Sequence, residues 1–290
     1  MTSMPPPEDV LLLPLQDEPP DPLFDIELKL LLEAVYLRYQ HDFRDYALNS
    51  LRRRVRQVQQ AFGAASLAQL QERLLREPAL FAQALPYFTV QVSELFRDPG
   101  YYLALRQHVV PLLHTYPSLK CWVAGCSTGE EAWSLAILLH EEGLLDRTLI
   151  YATDIHAEAL RAAEAGIYPL ERLARASRQY LAAGGRGSLS DYYRASDQAV
   201  LMDRQLKEHL VFADHSLATD SVFSEVHLVS CRNVLIYFNR KLQDRAVGLF
   251  REALVHRGFL GLGTQETLQF GAHAEAFDVV DGPHKLYRRL

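Results

Sequence analysis

The run Val123-Ala124-Gly125-Cys126-Ser127-Thr128-Gly129-Glu130-Glu131 sets small residues between an apolar stretch and two adjacent acids. Small residues after a strand let backbone amides approach a ligand closely, and ligands of open α/β sheets sit at the carboxyl ends of strands. A pyrophosphate at a helix start prefers bare amides with no acid beside them. A ligand bearing an ammonium and a sulfonium tolerates carboxylates, so Glu130 and Glu131 favour S-adenosylmethionine over a dinucleotide. Two acids opening a helix also complement its dipole, and the loop alone leaves that plainer reading open. Asp154 ends the run TLIYATD, where an acid can accept hydrogen bonds from ribose hydroxyls; aspartate there is equally a common helix N-cap. No His/Cys spacing resembles a metal site, and Cys121, Cys126 and Cys231 lie in or beside apolar runs, as reduced core residues do.

These residues need a parallel sheet to hold them, and the surrounding pattern predicts one. KCWVAG reads as a strand, residues 130–142 as a helix, TLIYATD as a second strand and residues 156–165 as a helix. HLVFAD and VHLVSCRN read as further strands, residues 240–256 as a long amphipathic helix, and FLGLGT as a strand. FDVV and KLYRR are two closing strands, near enough in sequence to pair antiparallel. Such alternation predicts an α/β fold with a mostly parallel, Rossmann-like sheet covered on both faces. Residues 184–207, rich in glycine and serine turns with β-prone Tyr192, Tyr193, Val200 and Leu201, are expected to form a small β insertion in a domain spanning 119–290.

Residues 24–88 carry helical signals only. Leu28, Leu31, Leu32 and Val35 share one face, and Leu51, Val55, Val58 and Phe62 repeat at helical spacing. Ser66 with Gln69 reads as a capping box, and Pro78 suits a first helical turn. The expectation is a helical domain of about four helices, followed at 89–118 by a linker and the start of the α/β domain. Residues 1–23 hold seven prolines and read as an extended or disordered tail, whose Val10-Leu11-Leu12-Leu13 patch is apolar enough to dock on a surface. The 290 residues, 49% hydrophobic and 23% charged, suit a soluble globular protein. A net charge of −6 argues against a duty centred on nucleic acid. No stretch approaches the ~20 apolar residues of a membrane span, and no basic region precedes an apolar one at the N-terminus. A cytoplasmic protein is expected, reaching any membrane through a partner. It is expected to be a monomer, because no heptad run or long apolar edge is evident.

Four motifs, TVQVSELFRDP at 89–99, AGCSTGEE at 124–131, YATDI at 151–155 and SCRNVLIYF at 230–238, occur in the order and at the spacing of the CheR family, the chemotaxis-receptor methyltransferases, and the chain resembles that family from Phe24 to Leu290. The resemblance implies an S-adenosylmethionine-dependent protein-glutamate O-methyltransferase yielding S-adenosylhomocysteine. By that likeness Ala124 and Glu130 belong to the cofactor loop, with Glu130 at the cofactor's amino group, and Asp154 is the ribose-binding acid. Ser216 and Leu217 match an adenine-side pair, and Asn233 and Val234 a pair after the fourth strand. Gln91 and Ser93 fall near the methionine end, Arg97 matches the arginine that orients the acceptor glutamate, and Tyr237 a tyrosine beside the transferred methyl. Gln91, Ser93 and Ser216 depart from the family's usual Asn, Thr and Asn, which bears on affinity more than on activity.

Arg52, Arg53 and Arg56 lie beside an apolar stripe. The resemblance implies that such a face docks acidic receptor helices, with recruitment to receptor arrays; a solvated basic face is the plain alternative. In some members of the family the β insertion binds a receptor's C-terminal pentapeptide by strand addition; independence from such a tether is expected here. Two other functions compete: a methyltransferase for another substrate class, and a non-catalytic S-adenosylmethionine-binding scaffold. SCRNVLIYF lacks the Asn/Asp-Pro-Pro-Tyr/Phe pattern of base-amine methyltransferases, and the presence of Arg97 and Tyr237 argues against a scaffold.

Overall fold

The computed structural model describes residues 21–290; the Val10-Leu11-Leu12-Leu13 patch lies outside them. The chain divides into two compact units, one running to Val92 and including Tyr237–Gln243, the other made of Ser93–Ile236 and Asp244–Leu290.

The first unit is built on four helices: α1 (Pro22–Tyr39), α2 (Leu48–Ala61), α3 (Leu67–Arg76) and α4 (Pro78–Phe88). Pro22 sits in the first turn of α1, where its missing N–H costs nothing, and the Asp21 carboxylate accepts the Phe24 amide at 3.1 Å. The last two residues of the proline-rich segment are therefore helical. Leu28, Leu31, Leu32 and Val35 bury one stripe of α1, and Leu51, Val55 and Val58 one stripe of α2. Ser66 caps α3 through the Gln69 amide, while Gln69 Oε1 takes the amide of Ala65 and not that of Ser66, so the reciprocal arm of the capping box falls one residue early. Tyr237–Gln243 is held within this unit: the Ala47 amide donates to the Tyr237 carbonyl at 2.8 Å, the Asn239 amide to the Asp45 carbonyl at 2.9 Å, and Tyr46 and Phe238 form an isolated antiparallel bridge.

The second unit is a seven-stranded sheet. Its strands are β1 (Leu119–Ala124), β2 (Thr148–Asp154), β6 (Leu210–Asp214), β7 (Val226–Cys231), β8 (Leu254–Leu262), β9 (Phe277–Asp281) and β10 (Leu286–Arg289), in the order β6-β2-β1-β7-β8-β10-β9. The first five are parallel; β10 runs antiparallel between β8 and β9. β1 and β7 are buried on both faces, as strands covered by helices on either side must be. On one face Cys121 and Val123 join a core with Trp133 and Leu135 of α5 (Glu130–Glu141); on the other Trp122 meets Phe250 of α6 (Arg240–Ala253) at 5.4 Å between ring centroids. The helix expected over 240–256 ends at Ala253, because Leu254 already pairs with Val226 in the sheet.

A second, three-stranded sheet has the order β3-β5-β4, from β3 (Ile167–Pro169), β4 (Tyr193–Ala195) and β5 (Ala199–Met202). Its first strand lies upstream of the 184–207 segment, with the helix Leu173–Ala182 between. A three-residue strand after Gly166 gives too short an alternation to stand out in sequence.

Candidate functional site

The sheet order reverses between β1 and β7, the place where open α/β sheets leave a crevice. There the strand ends lie side by side: Ala124 pairs with Thr153, Asp154 with Asp214, and Cys231 with Leu262. β1 leaves the sheet through Gly125, at φ +74°, and the Gly125 and Cys126 amides both donate to the Thr153 carbonyl, at 2.8 and 2.9 Å. Ser127 then turns at φ +52° and points its amide at Asp154 Oδ2, 2.8 Å away, while the His156 amide donates to Asp154 Oδ1 at 3.0 Å. Asp154 thus ties the first loop to the second strand before any ligand is considered. Burial pushes its carboxyl up, and the backbone amides of Ser127, His156 and Ile155 oppose that shift.

The two glutamates opening α5 do different jobs. Glu131 accepts the Ser230 hydroxyl at 2.6 Å and Arg232 Nη1 at 3.4 Å, so its carboxylate is spent on β7. Glu130 is 3% exposed, accepts the Thr128 hydroxyl on Oε2 at 2.7 Å, and among the described residues has no hydrogen-bond partner on Oε1, from which Arg172 Nη1 stands 3.7 Å away. Burial raises its pKa, with the Thr128 and Ser93 hydroxyls and Arg172 opposing.

After β7, Asn233 adopts φ +60° and starts a turn that Glu266 grips. The Glu266 carboxylate, 4% exposed, accepts the amides of Asn233 at 3.1 Å, Val234 at 2.9 Å, Ile236 at 3.3 Å, and Gly263. After β6, the Ser216 amide donates to Asp220 Oδ2 at 2.9 Å, its hydroxyl accepts the Ala218 amide at 3.3 Å, and Leu217 is buried. Arg97 is half-buried between Phe96 and Asp98, both at positive φ.

Ala124, Glu130, Asp154, Ser216, Leu217, Asn233 and Val234 therefore all stand on the loops that leave the carboxyl edge of the sheet. Ser93 helps hold the Glu130 charge, and Arg97 is linked to the same edge through Arg232, whose Nη2 donates to the Arg97 carbonyl at 2.8 Å. Gln91 and Tyr237 belong to the helical unit. Gln91 Nε2 donates to the Thr89 hydroxyl at 3.1 Å, and the Tyr237 ring lies 5.0 Å from the Arg54 guanidinium carbon.

On the basic helix α2, Arg52 is tied to Asp25 through Nε at 2.7 Å, and the Arg56 guanidinium lies 4.3 Å from the centroid of the Phe24 ring. Arg53 is half-buried. Arg54, on the same helix and not among the candidates above, is 1% exposed and donates to the Phe88 carbonyl. Its spacing, three after Leu51 and four before Val58, was the available signal. Glu131 and Arg232 lie inside the motifs at 124–131 and 230–238, but only strand pairing shows what they hold. Glu266 had no signal at all.

Comparison with known proteins gives two domains. Residues 26–89 match the CheR methyltransferase all-alpha domain, and residues 91–286 match the CheR methyltransferase SAM binding domain. The chain is 53% identical over 265 residues to a putative methyltransferase, Cher3, of Pseudomonas putida, covering 91% of this chain and 97% of that one. It is 27% identical over 268 residues to an uncharacterized 104.1 kDa protein of Rhodobacter capsulatus, covering 90% of this chain and 27% of that one. It is 32% identical over 220 residues to chemotaxis protein methyltransferase 2 of Pseudomonas aeruginosa, covering 72% of this chain and 74% of that one. The sheet edge fits S-adenosylmethionine. Glu130 offers an ammonium a buried carboxylate oxygen that the Arg172 guanidinium approaches to 3.7 Å, beyond hydrogen-bond distance. The Asp154 carboxylate has about four acceptor sites, of which the backbone amides of Ser127, His156 and Ile155 take three, and the missing side chain at Gly125 lets the first loop close against Val234.

Proposed function

We propose, for a chain that belongs to the CheR methyltransferase family and takes S-adenosylmethionine as its cofactor, that it methylates glutamate side chains of chemosensory receptors, giving glutamate 5-O-methyl esters. The observation that supports this most is the presence of both family domains in one chain together with Arg97 and Tyr237. A relative 32% identical to it is named a chemotaxis protein methyltransferase, which favours receptors as the substrate.

Bound S-adenosylmethionine supplies an electrophilic methyl on a sulfonium leaving group. In this reading Glu130 holds the ammonium, Asp154 the ribose hydroxyls, Ser216 and Leu217 the adenine side, and Ala124, Asn233 and Val234 the walls between, with Gln91 and Ser93 toward the methionine end. A glutamate is already ionised at neutral pH, so the chain need not supply a strong base. Its task is to hold a carboxylate oxygen in line with the methyl carbon, a proximity effect. Arg97 suits that task because a guanidinium fork fixes a carboxylate in two places. Tyr237 lines the methyl's path. The exposed part of the Arg53 and Arg56 face, with Arg52 committed to Asp25, attracts the acidic receptor helices. No helix among the described residues is long and apolar enough to cross a membrane.

The test is methyl transfer from labelled S-adenosylmethionine to receptor-bearing membranes, with free glutamate and oligonucleotides as controls. Base-labile label on the receptor alone is the expected result. Cofactor binding without transfer to any of the three would sink the enzymatic reading and leave the scaffold.

A further inference from the structure

Three of the motifs meet at one buried guanidinium. Arg232 follows β7, and its side chain is 1% exposed. Nη2 donates to the Arg97 carbonyl at 2.8 Å and to Asp98 Oδ2 at 2.9 Å, while Nη1 reaches Glu131 Oε2 at 3.4 Å. The Tyr101 ring centroid lies 4.3 Å from the guanidinium carbon, and Tyr101 and Ser230 hydroxyls are joined at 2.7 Å. Ser230 in turn donates to Glu131 at 2.6 Å. Nε of Arg232 has no hydrogen-bond partner among the described residues.

What this guanidinium holds is a strained turn. Phe96 at φ +54° and Asp98 at φ +55° flank Arg97, a left-handed conformation that L residues adopt only when the surroundings enforce it. The Phe96 amide is fixed from the other side by the Ser134 hydroxyl of α5 at 2.8 Å. Burying a guanidinium with two carboxylates is a poor way to gain stability, because desolvation offsets the attraction. Its geometry is better explained by what it aims. We propose that Arg232 is a positioning residue for methyl transfer: by gripping the Arg97 carbonyl and the Asp98 carboxylate, it sets the direction in which Arg97 presents its own guanidinium to the acceptor. The proposal rests on the reading of Arg97 as the residue that orients the acceptor carboxylate. It also separates the paired glutamates, Glu131 anchoring the clamp while Glu130 faces the cofactor.

The test uses the full chain carrying Arg232→Met, Arg232→Lys or Asp98→Asn, with Arg97→Ala as reference. Two readouts are taken: amide hydrogen exchange of residues 93–101 without cofactor, and kcat with S-adenosylmethionine affinity on receptor membranes. Arg232→Met and Asp98→Asn are expected to speed exchange in 93–101 while the β1 and β2 amides stay protected. In Arg232→Met kcat falls about 100-fold, the loss that a misplacement of about 1 Å produces, with cofactor affinity within about threefold of wild type, since the lost interaction belongs to the transition state. Arg232→Lys falls between, because an ammonium cannot span both acceptors. Unchanged exchange in 93–101, or equal losses in kcat and cofactor affinity, overturns the proposal. Should Arg232→Met fail to fold, Arg232→Lys and Asp98→Asn carry the same two readouts. A wild-type protein that methylates no receptor removes the acceptor reading, and exchange alone then decides whether the clamp holds the turn.

Discussion

Val234 fills the space that a side chain on Gly125 would need: a Cβ there would come within 2.5 Å of Val234 Cγ2. The first loop and the turn after the fourth parallel strand are thus shaped against each other across the point where the sheet order reverses.

Gly125→Ala should therefore lose cofactor binding. The substitution adds that clash to a φ of +74°, which costs an L residue roughly 1–2 kcal/mol. Calorimetry with S-adenosylmethionine is expected to show affinity reduced at least tenfold, partly restored by adding Val234→Ala. Wild-type affinity in Gly125→Ala would show that the loop relaxes freely.

Glu130 predicts a pH dependence of binding. Burial raises its pKa, and an ammonium binds the ionised carboxylate, so affinity should be full above that raised pKa and fall as pH drops through it, sooner than for an exposed glutamate. Glu130→Gln should bind more weakly at neutral pH and lose this dependence. An identical profile in the variant would place the titrating group elsewhere.

Glu266 predicts a pH dependence of stability with the opposite slope from an ordinary ion-paired acid. Burial raises its folded pKa, so between its unfolded and folded values the folded state holds more protons, and stability falls as pH rises through that window. Thermal melts of Glu266→Gln should lack that slope. The variant should also bind cofactor less well, because an amide nitrogen now faces the amides of the Asn233–Val234 turn.

Arg54 lies 5.0 Å from the Tyr237 ring centroid and is buried enough to have its pKa lowered to about 10. It stays charged at neutral pH. Arg54→Met removes the cation from that ring and leaves the Phe88 carbonyl without its donor, a burial penalty of about 1–3 kcal/mol. A lower melting temperature and a lower kcat at unchanged cofactor affinity are expected; a change in melting temperature alone would make Arg54 structural only.

Reversing Arg53 and Arg56 to glutamate should slow receptor methylation several-fold at low salt and little at high salt, as screened long-range attraction does. The same reversal at Arg52 is less informative, because it also breaks the pair with Asp25. A salt-independent rate in the double variant would mark the face as merely solvated.

Much of this architecture was legible because the central parallel strands β1 and β7 are buried on both faces and therefore read as continuous apolar runs bounded by turns. The loop at Gly125 and the acid at 154 announced themselves by residue type and by position after such runs. The helix-to-strand change at Ala253 was hidden because Leu254 and Val255 suit either element, and only pairing with Val226 decides. Glu266 and Arg232 act across strands far apart in sequence, which no local period encodes. Arg54 was hidden by its charge: a buried arginine looks like a member of a basic face until its neighbours are known.

The residence of Tyr237–Gln243 among the helices of the first unit has a consequence for anyone recombining these proteins. The helical domain is not a detachable cassette ending at Val92. A fragment cut there would leave Ala47 without the Tyr237 carbonyl and Asp45 without the Asn239 amide. A chimera that exchanges the N-terminal half between relatives must carry this downstream segment with it, or inherit a mismatched seam one residue from the turn that Glu266 holds.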